Sequence, residues 1–216
     1  SLSADGQTWI DPSWLYNNLL AHLWNAGGAA AVILIHVLSV LLAFLALIPV
    51  ARRWAAPASM AAALLLCGRL LSFQFHMTAD TFTLIFPALF ILLLSSGRNA
   101  VLLWVALPLV QWFWTNMHTT FLLGPLFCLF AALQSRYQPR TDAAWNPPRR
   151  YLMLAGLTLV VTALNPYFLN LHAFAIERWF DPRQLYQAEW ISPLAGLFQT
   201  SGPSVMIVAA LIFGAA

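Results

Sequence analysis

A series of long apolar runs, each closed by a short polar break, constrains this chain more than any other feature. The runs are Ala29–Val50, Pro57–Phe75, Thr81–Ser96, Ala100–Thr115, Thr120–Gln134 and Tyr151–Asn165, and a seventh starts near Pro203 and reaches Ala216. A helix needs about 20 apolar residues to cross a bilayer, somewhat fewer where its ends are polar. Only 8% of the 216 residues are charged and 61% are hydrophobic, whereas a soluble domain carries about 25% charged residues. The pattern predicts an all-α, polytopic transmembrane helical bundle in a single domain. Residues 1–28 form an external segment, 29–165 six spans, 166–202 an external loop, and 203–216 the start of a further span. The third to sixth runs are short, and Pro87 and Pro108 interrupt two of them, which predicts backbone facing protein or a water-filled cavity rather than lipid. The chain lacks an initial Met and ends inside an apolar run, so it reads as a piece of a longer protein.

Charge sets the orientation. With alternating spans, one side holds Arg52, Arg53, Arg98, Arg136, Arg140, Arg149 and Arg150, and the other side's loops hold only Arg178 and Arg183. The arginine-rich side is cytoplasmic by the positive-inside rule. The opposite side collects Asp5, Asp11, Asp80, Glu177, Asp181 and Glu189, with His22, His76, His118 and His172. Chemistry is expected on that external face. No basic cluster points to nucleic acid. Cys67 and Cys128 both sit in apolar runs and offer neither a disulfide framework nor a metal motif.

Two segments are expected to lie in the membrane interface. Asp11-Pro12 reads as a helix start, with Asp11 as N-cap and Pro12 at the first helical position. The stretch that follows carries Tyr16, Leu19, Leu20, Leu23 and Trp24 on one face and Asn18, His22 and Asn25 on the other. Being too short to span, it should lie flat, and Gly27-Gly28 should end it. Phe168–Trp179 could form a second such helix. The Arg- and Pro-rich stretch Ser135–Arg150 reads as a solvated connector that meets anionic lipid.

The polar knot Thr115–Thr120, within Gln111–Gly124, interrupts two lipid-compatible runs. Asn116 and His118 point about 200° apart on a continuous helix, but in a corner they could face one site. The alternative is that Asn116 caps the next helix and His118 is solvated. Arg69 is the one charge inside a span, and it either snorkels or faces the external cavity to pair with Asp80 or a ligand phosphate. His76 and Asp80 are spaced i, i+4, a weak metal signal that needs further ligands, so a divalent metal stays open. His36, mid-span, suits an interhelical hydrogen bond. Asp11 and Glu189 are the candidate catalytic carboxylates, against the alternatives of an N-cap and an interfacial loop carboxylate.

Several of these pieces, in this order, resemble a group of bacterial membrane proteins related to the GT-C glycosyltransferases. They are G-Q-T-W-I-D-P-S-W-L at Gly6–Leu15 with Gly27-Gly28 after it, D-T-F-T-L at Asp80–Leu84, W-T-N-M-H-T-T-F-L-L-G at Trp114–Gly124, L-N-P-Y at Leu164–Tyr167, and E-W-I-S-P at Glu189–Pro193. The chain departs from the family pattern at Thr78-Ala79, where an Arg-Pro pair is usual, at Pro12-Ser13 and Asn17, where a further acidic or His residue is usual, and at Thr119, which replaces a small residue. The family's catalytic Asp follows its first transmembrane helix, upstream of the residues present here. The resemblance implies transfer of a sugar from a polyprenyl-phosphate donor at the periplasmic leaflet of the bacterial inner membrane. Arg69, Asp80, Asn116 and His118 would then bind substrate. The alternative is a non-catalytic GT-C-like scaffold or accessory subunit of a larger membrane complex. A transporter is disfavoured, because the spans carry almost no ionisable residues.

Overall fold

The structure is a computed structural model and describes residues 9–53, 56–57, 59–60, 63, 78–96, 100–137 and 147–181. Among these the regular elements are all helical: α1 (Trp14–Ala51), α2 (Ala79–Thr83), α3 (Ile85–Ser96), α4 (Ala100–Met117), a 3-10 turn (Thr119–Leu122), α5 (Leu123–Tyr137), α6 (Pro148–Val161) and α7 (Leu169–Phe180). Arg69, His76 and Glu189 lie outside the described residues, as does the run from Pro203.

Helix α1 contains a reversal. Gly28 leaves helical geometry at φ 59°, ψ −150°, a region that is essentially glycine's alone. Tyr16 Oη and His36 Nε2 lie 2.9 Å apart although they are 20 residues apart in sequence. A straight helix would separate them by about 30 Å, so the first arm folds back along the second. His36 Nδ1 is 2.7 Å from the Val32 carbonyl, which can only accept. Nδ1 therefore donates there and Nε2 accepts the Tyr16 hydroxyl. The expectation of a helix lying flat in the interface gives way to this hairpin, because Tyr16 finds a buried partner only by turning toward its own chain. The helix starts at Trp14 rather than Pro12, with Ser13 at the cap position. Asp11 still serves that end, its Oδ1 accepting the Ser13 N–H at 3.0 Å. The second arm, roughly 23 residues and about 34 Å long, supplies the apolar length. Among the described residues α1 is the one helix long and apolar enough to cross a membrane.

Local chemistry sets the other boundaries. Pro87 sits in the first turn of α3, where its missing N–H costs nothing, and its ring would oppose the carbonyl of Thr83, the last residue of α2. The chain accordingly breaks at Leu84 between α2 and α3. Helix α4 runs through Pro108. At the α6–α7 corner the non-glycine Phe168 takes φ 52°, a strained value, while its side chain stays largely exposed.

Helices α1 and α3 finish at one end of the bundle and α4 and α6 at the other, which gives the bundle two unlike ends. The Arg53 guanidinium donates to the Ser95 carbonyl, so α1 and α3 end together. Asn116, at the end of α4, reaches the carbonyl of Leu164, just past α6. Arg52, Arg53, Arg136, Arg149 and Arg150 gather at one end, and Asp80, Asn116, His118, Asn165 and His172 at the other. The core beneath this polar end is aromatic. Trp114 stacks on Phe86 at 5.9 Å and meets Phe90 at 5.6 Å and Phe127 at 6.3 Å.

Replacing Gly28 by Ala is expected to destabilise the protein by about 1–3 kcal/mol and open the hairpin, although no atom lies within 4 Å of the added methyl. Asn, which tolerates the ordinary left-handed helical region but not this one, should be as costly. Thermal unfolding of both variants measures this, and a neutral Gly28→Ala would show that the conformation imposes no constraint.

Candidate functional site

The polar knot is divided by a break in the backbone. Helix α4 ends at Met117, and His118 is extended at φ −163°, ψ 154°. Asn116, the last-but-one helical residue, is fully buried and faces its neighbours across the bundle. Its Oδ1 accepts the Trp14 indole N–H at 2.8 Å, and its amide nitrogen donates to the carbonyls of Trp112 at 2.8 Å and Leu164 at 3.1 Å. An indole N–H only donates and a carbonyl only accepts, so the amide has one sensible orientation. The side chain joins α1, α4 and the segment after α6, and it caps no helix.

His118 faces Asp80 instead. Its Nε2 is 2.7 Å from Asp80 Oδ1. Its Nδ1 is 2.9 Å from Thr120 Oγ1 and accepts the Thr120 backbone N–H at 3.3 Å, so His118 caps the 3-10 turn. Because Nδ1 accepts an N–H, the ring proton is on Nε2 and points at the carboxylate. The Thr120 hydroxyl also donates to Nδ1 and itself accepts the Trp114 indole N–H at 3.1 Å. The chain Trp114–Thr120–His118–Asp80 runs from the aromatic core to the surface. The Asp80 side chain keeps 56% of its surface exposed, against 13% for His118. The hydrogen bond from His118 holds the Asp80 carboxyl below the usual carboxylate range, against a partial desolvation, and Arg178 on α7 adds a further favourable charge.

The structure thus brings Asp80 and His118 together and sends Asn116 elsewhere. Thr78 is extended at φ −121°, ψ 166° just before the helix that carries Asp80, and His76, the other candidate ligand, lies outside the described residues. Among the described residues no three His, Cys, Asp or Glu side chains cluster as metal ligands. Asp11 is occupied, its second oxygen accepting from the Asn17 amide at 2.9 Å.

The chain matches no family model, no curated protein and no solved structure.

The bonding of Gln111 and His172 at this end escaped the sequence reading. Gln111 is fully buried one helical turn below Thr115, and its amide nitrogen donates to Thr115 Oγ1 at 3.1 Å and to the Phe121 carbonyl at 3.0 Å. Its Oε1 has no hydrogen-bond partner and lies where a side chain on Gly124 would begin, 1.9 Å from an added Cβ. His172 bonds Thr162 at 2.7 Å and meets the edge of Phe121 at 5.3 Å. The spacing of Gln111 and Thr115, i and i+4, was the available signal for the first.

Removing the Asn116 side chain takes a partner from the half-buried Trp14 indole and from the carbonyl of Leu164, an exposed residue. Asn116→Ala should cost about 1–2 kcal/mol. A double-mutant cycle with Trp14→Phe should show a coupling of about 1 kcal/mol, and additive single effects would contradict the bond. For Asp80 the sign follows from its lowered folded-state pKa. Its contribution is present above the ordinary carboxylate value and is lost as pH falls through the lower folded value. Exposure screens it to about 0–1 kcal/mol. The stability difference between wild type and Asp80→Asn should therefore be small at pH 6 and vanish toward pH 2, as followed by thermal unfolding.

Proposed function

We propose that this is a multi-pass membrane protein of the GT-C type, its polar end facing the periplasm, that transfers a sugar from a polyprenyl-phosphate donor. One observation carries the reading: the half-exposed, ionised Asp80 is fixed by His118 at the end of the bundle where the described carboxylates collect. The acceptor hydroxyl would attack the anomeric carbon, the phosphate would leave with the bonding electrons, and the hydroxyl proton would pass to Asp80. A carboxylate held below the usual range is a weak base, so its contribution is to orient the hydroxyl and take the proton late. His118 is a positioning residue. It directs its N–H at Oδ1 and so holds the carboxylate in one orientation. Arg178, whose charge reaches Asp80, and Arg69, on the resemblance, are the cations suited to the donor phosphate.

One observation favours a second reading, a non-catalytic scaffold of a larger membrane complex. Asn116 and Asp11, which the resemblance places near the chemistry, are engaged in holding the chain together.

Transfer assays with membranes holding the full-length protein and a panel of polyprenyl-phosphate sugars separate the two. Asp80→Asn should lower transfer about 10²–10⁴-fold with the fold kept, and His118→Ala should lower it less. Wild-type protein that neither transfers nor binds any donor would sink the enzyme reading and leave the scaffold.

A further inference from the structure

The corner between α6 and α7 presents more hydrogen-bond acceptors than one neutral histidine can serve. Thr162, which closes α6, holds its hydroxyl oxygen 2.6 Å from the Leu159 carbonyl and 2.7 Å from His172 Nε2. Two oxygens that close need a hydrogen between them, and the carbonyl has none to give. The Thr162 proton is therefore committed to Leu159, and Nε2 has to donate. On the other side of the ring Nδ1 lies 3.3 Å from the Phe168 carbonyl, which also only accepts, so Nδ1 has to donate as well. A neutral imidazole has one N–H and an imidazolium has two. With one proton the ring makes the shorter bond, to Thr162, and turns a lone pair toward Phe168. With two it makes both.

The second bond fastens a strained turn. Among the described residues Phe168 is the one non-glycine residue at positive φ. Asn165 already pins it, its amide nitrogen donating to the carbonyls of Thr162 at 2.8 Å and Phe168 at 3.1 Å. His172 stands in the first turn of α7, where the helix dipole disfavours a cation, so a second proton is held only while both acceptors are in place. The charged and titratable groups around it are Glu177 and Arg178 further along α7, Asp181 after it, Tyr167 before it, and Asp80 and His118 across the polar end. Among the described residues none of these forms an ion pair with the His172 ring. We propose that His172 is a proton-operated latch: a second ring proton closes the bond to the Phe168 carbonyl and locks α7 onto the bundle, and its loss lets the corner loosen. Histidine is the side chain whose charge ordinarily changes between about pH 5 and 8. Helix α7 carries Arg178, whose charge reaches Asp80, so the closed latch keeps that cation beside the candidate carboxylate. This consequence rests on the proposed function, whereas the latch itself does not.

Hydrogen–deuterium exchange of the full-length protein in nanodiscs tests the latch, read by mass spectrometry at about pH 5.5 and about pH 7.5 and corrected for intrinsic exchange rates. In wild type the α7 amides should exchange roughly tenfold more slowly at the lower pH, the worth of one hydrogen bond to a charged group. His172→Gln, which binds no proton, should exchange alike at both. Thr162→Val should also lose the response, because without a hydroxyl to serve the single ring proton goes to Phe168 at either pH and α7 stays protected. This variant carries the test where His172→Gln fails to fold. His118→Gln, which alters the other histidine of the polar end, should keep the wild-type response. An unresponsive wild type would overturn the latch, as would a response that survives in His172→Gln or Thr162→Val. Loss of the response in His118→Gln would assign it to the Asp80 pair and overturn the proposal too. Exchange needs no turnover, so a protein that responds as expected but transfers no sugar supports the latch and loses only the glycosyltransferase reading.

Discussion

The bundle depends on one buried amide. Asn116 has its oxygen and its nitrogen turned to different parts of the chain, and each partner presents the complementary group. In a molecule with so few charges, hydrophobic burial drives collapse but is non-directional and does not fix which helix lies where. Most buried hydroxyls do not fix it either, since Ser39, Ser135 and Thr158 each donate back to a carbonyl of their own helix. Specific placement falls to the few side chains that bridge elements: Asn116, Gln111, Tyr16 with His36, and His172. An unpaired polar group in such an interior costs about 1–3 kcal/mol, so wrong pairings are disfavoured more strongly than right ones are rewarded.

This explains why the reactive-looking groups sort as they do. Directly beneath the polar end, Trp114 packs among Phe86, Phe90 and Phe127 and still directs its indole N–H up to Thr120. The aromatic floor holds the Thr120 hydroxyl, the hydroxyl holds His118, and His118 holds Asp80. Only the last member reaches water substantially. A carboxylate positioned by three successive hydrogen bonds loses little freedom when it meets a ligand, the kind of preorganisation that recognition of a hydroxyl requires.

Much of the architecture was legible in the runs of apolar residues: the start of α3 by Pro87, the break near His118, and the ends near Arg53 and Leu164. What could not be read was direction in space. Asn116 and His118 are equally polar and two residues apart, but a single extended residue sends one inward to Trp14 and the other outward to Asp80. The hairpin at Gly28 was missed for a similar reason. Gly27-Gly28 signals a stop, but nothing local says that Tyr16 will meet His36 instead of lying at an interface. The Gln111–Gly124 contact is non-local as well, because the glycine matters only through an amide that another helix brings to it.

The bond between Trp14 and Asn116 spans 102 positions of the chain, and the same amide also waits for Leu164. During synthesis the first arm leaves the ribosome long before either partner exists. It can close on Tyr16 and His36 early, because those lie within one hairpin, but Trp14 must stay undocked until α4 has been made, and the amide is fully satisfied only once α6 has followed. The N-terminal arm is therefore secured late although it is made early, and its seating on Asn116 reports that α4 has arrived.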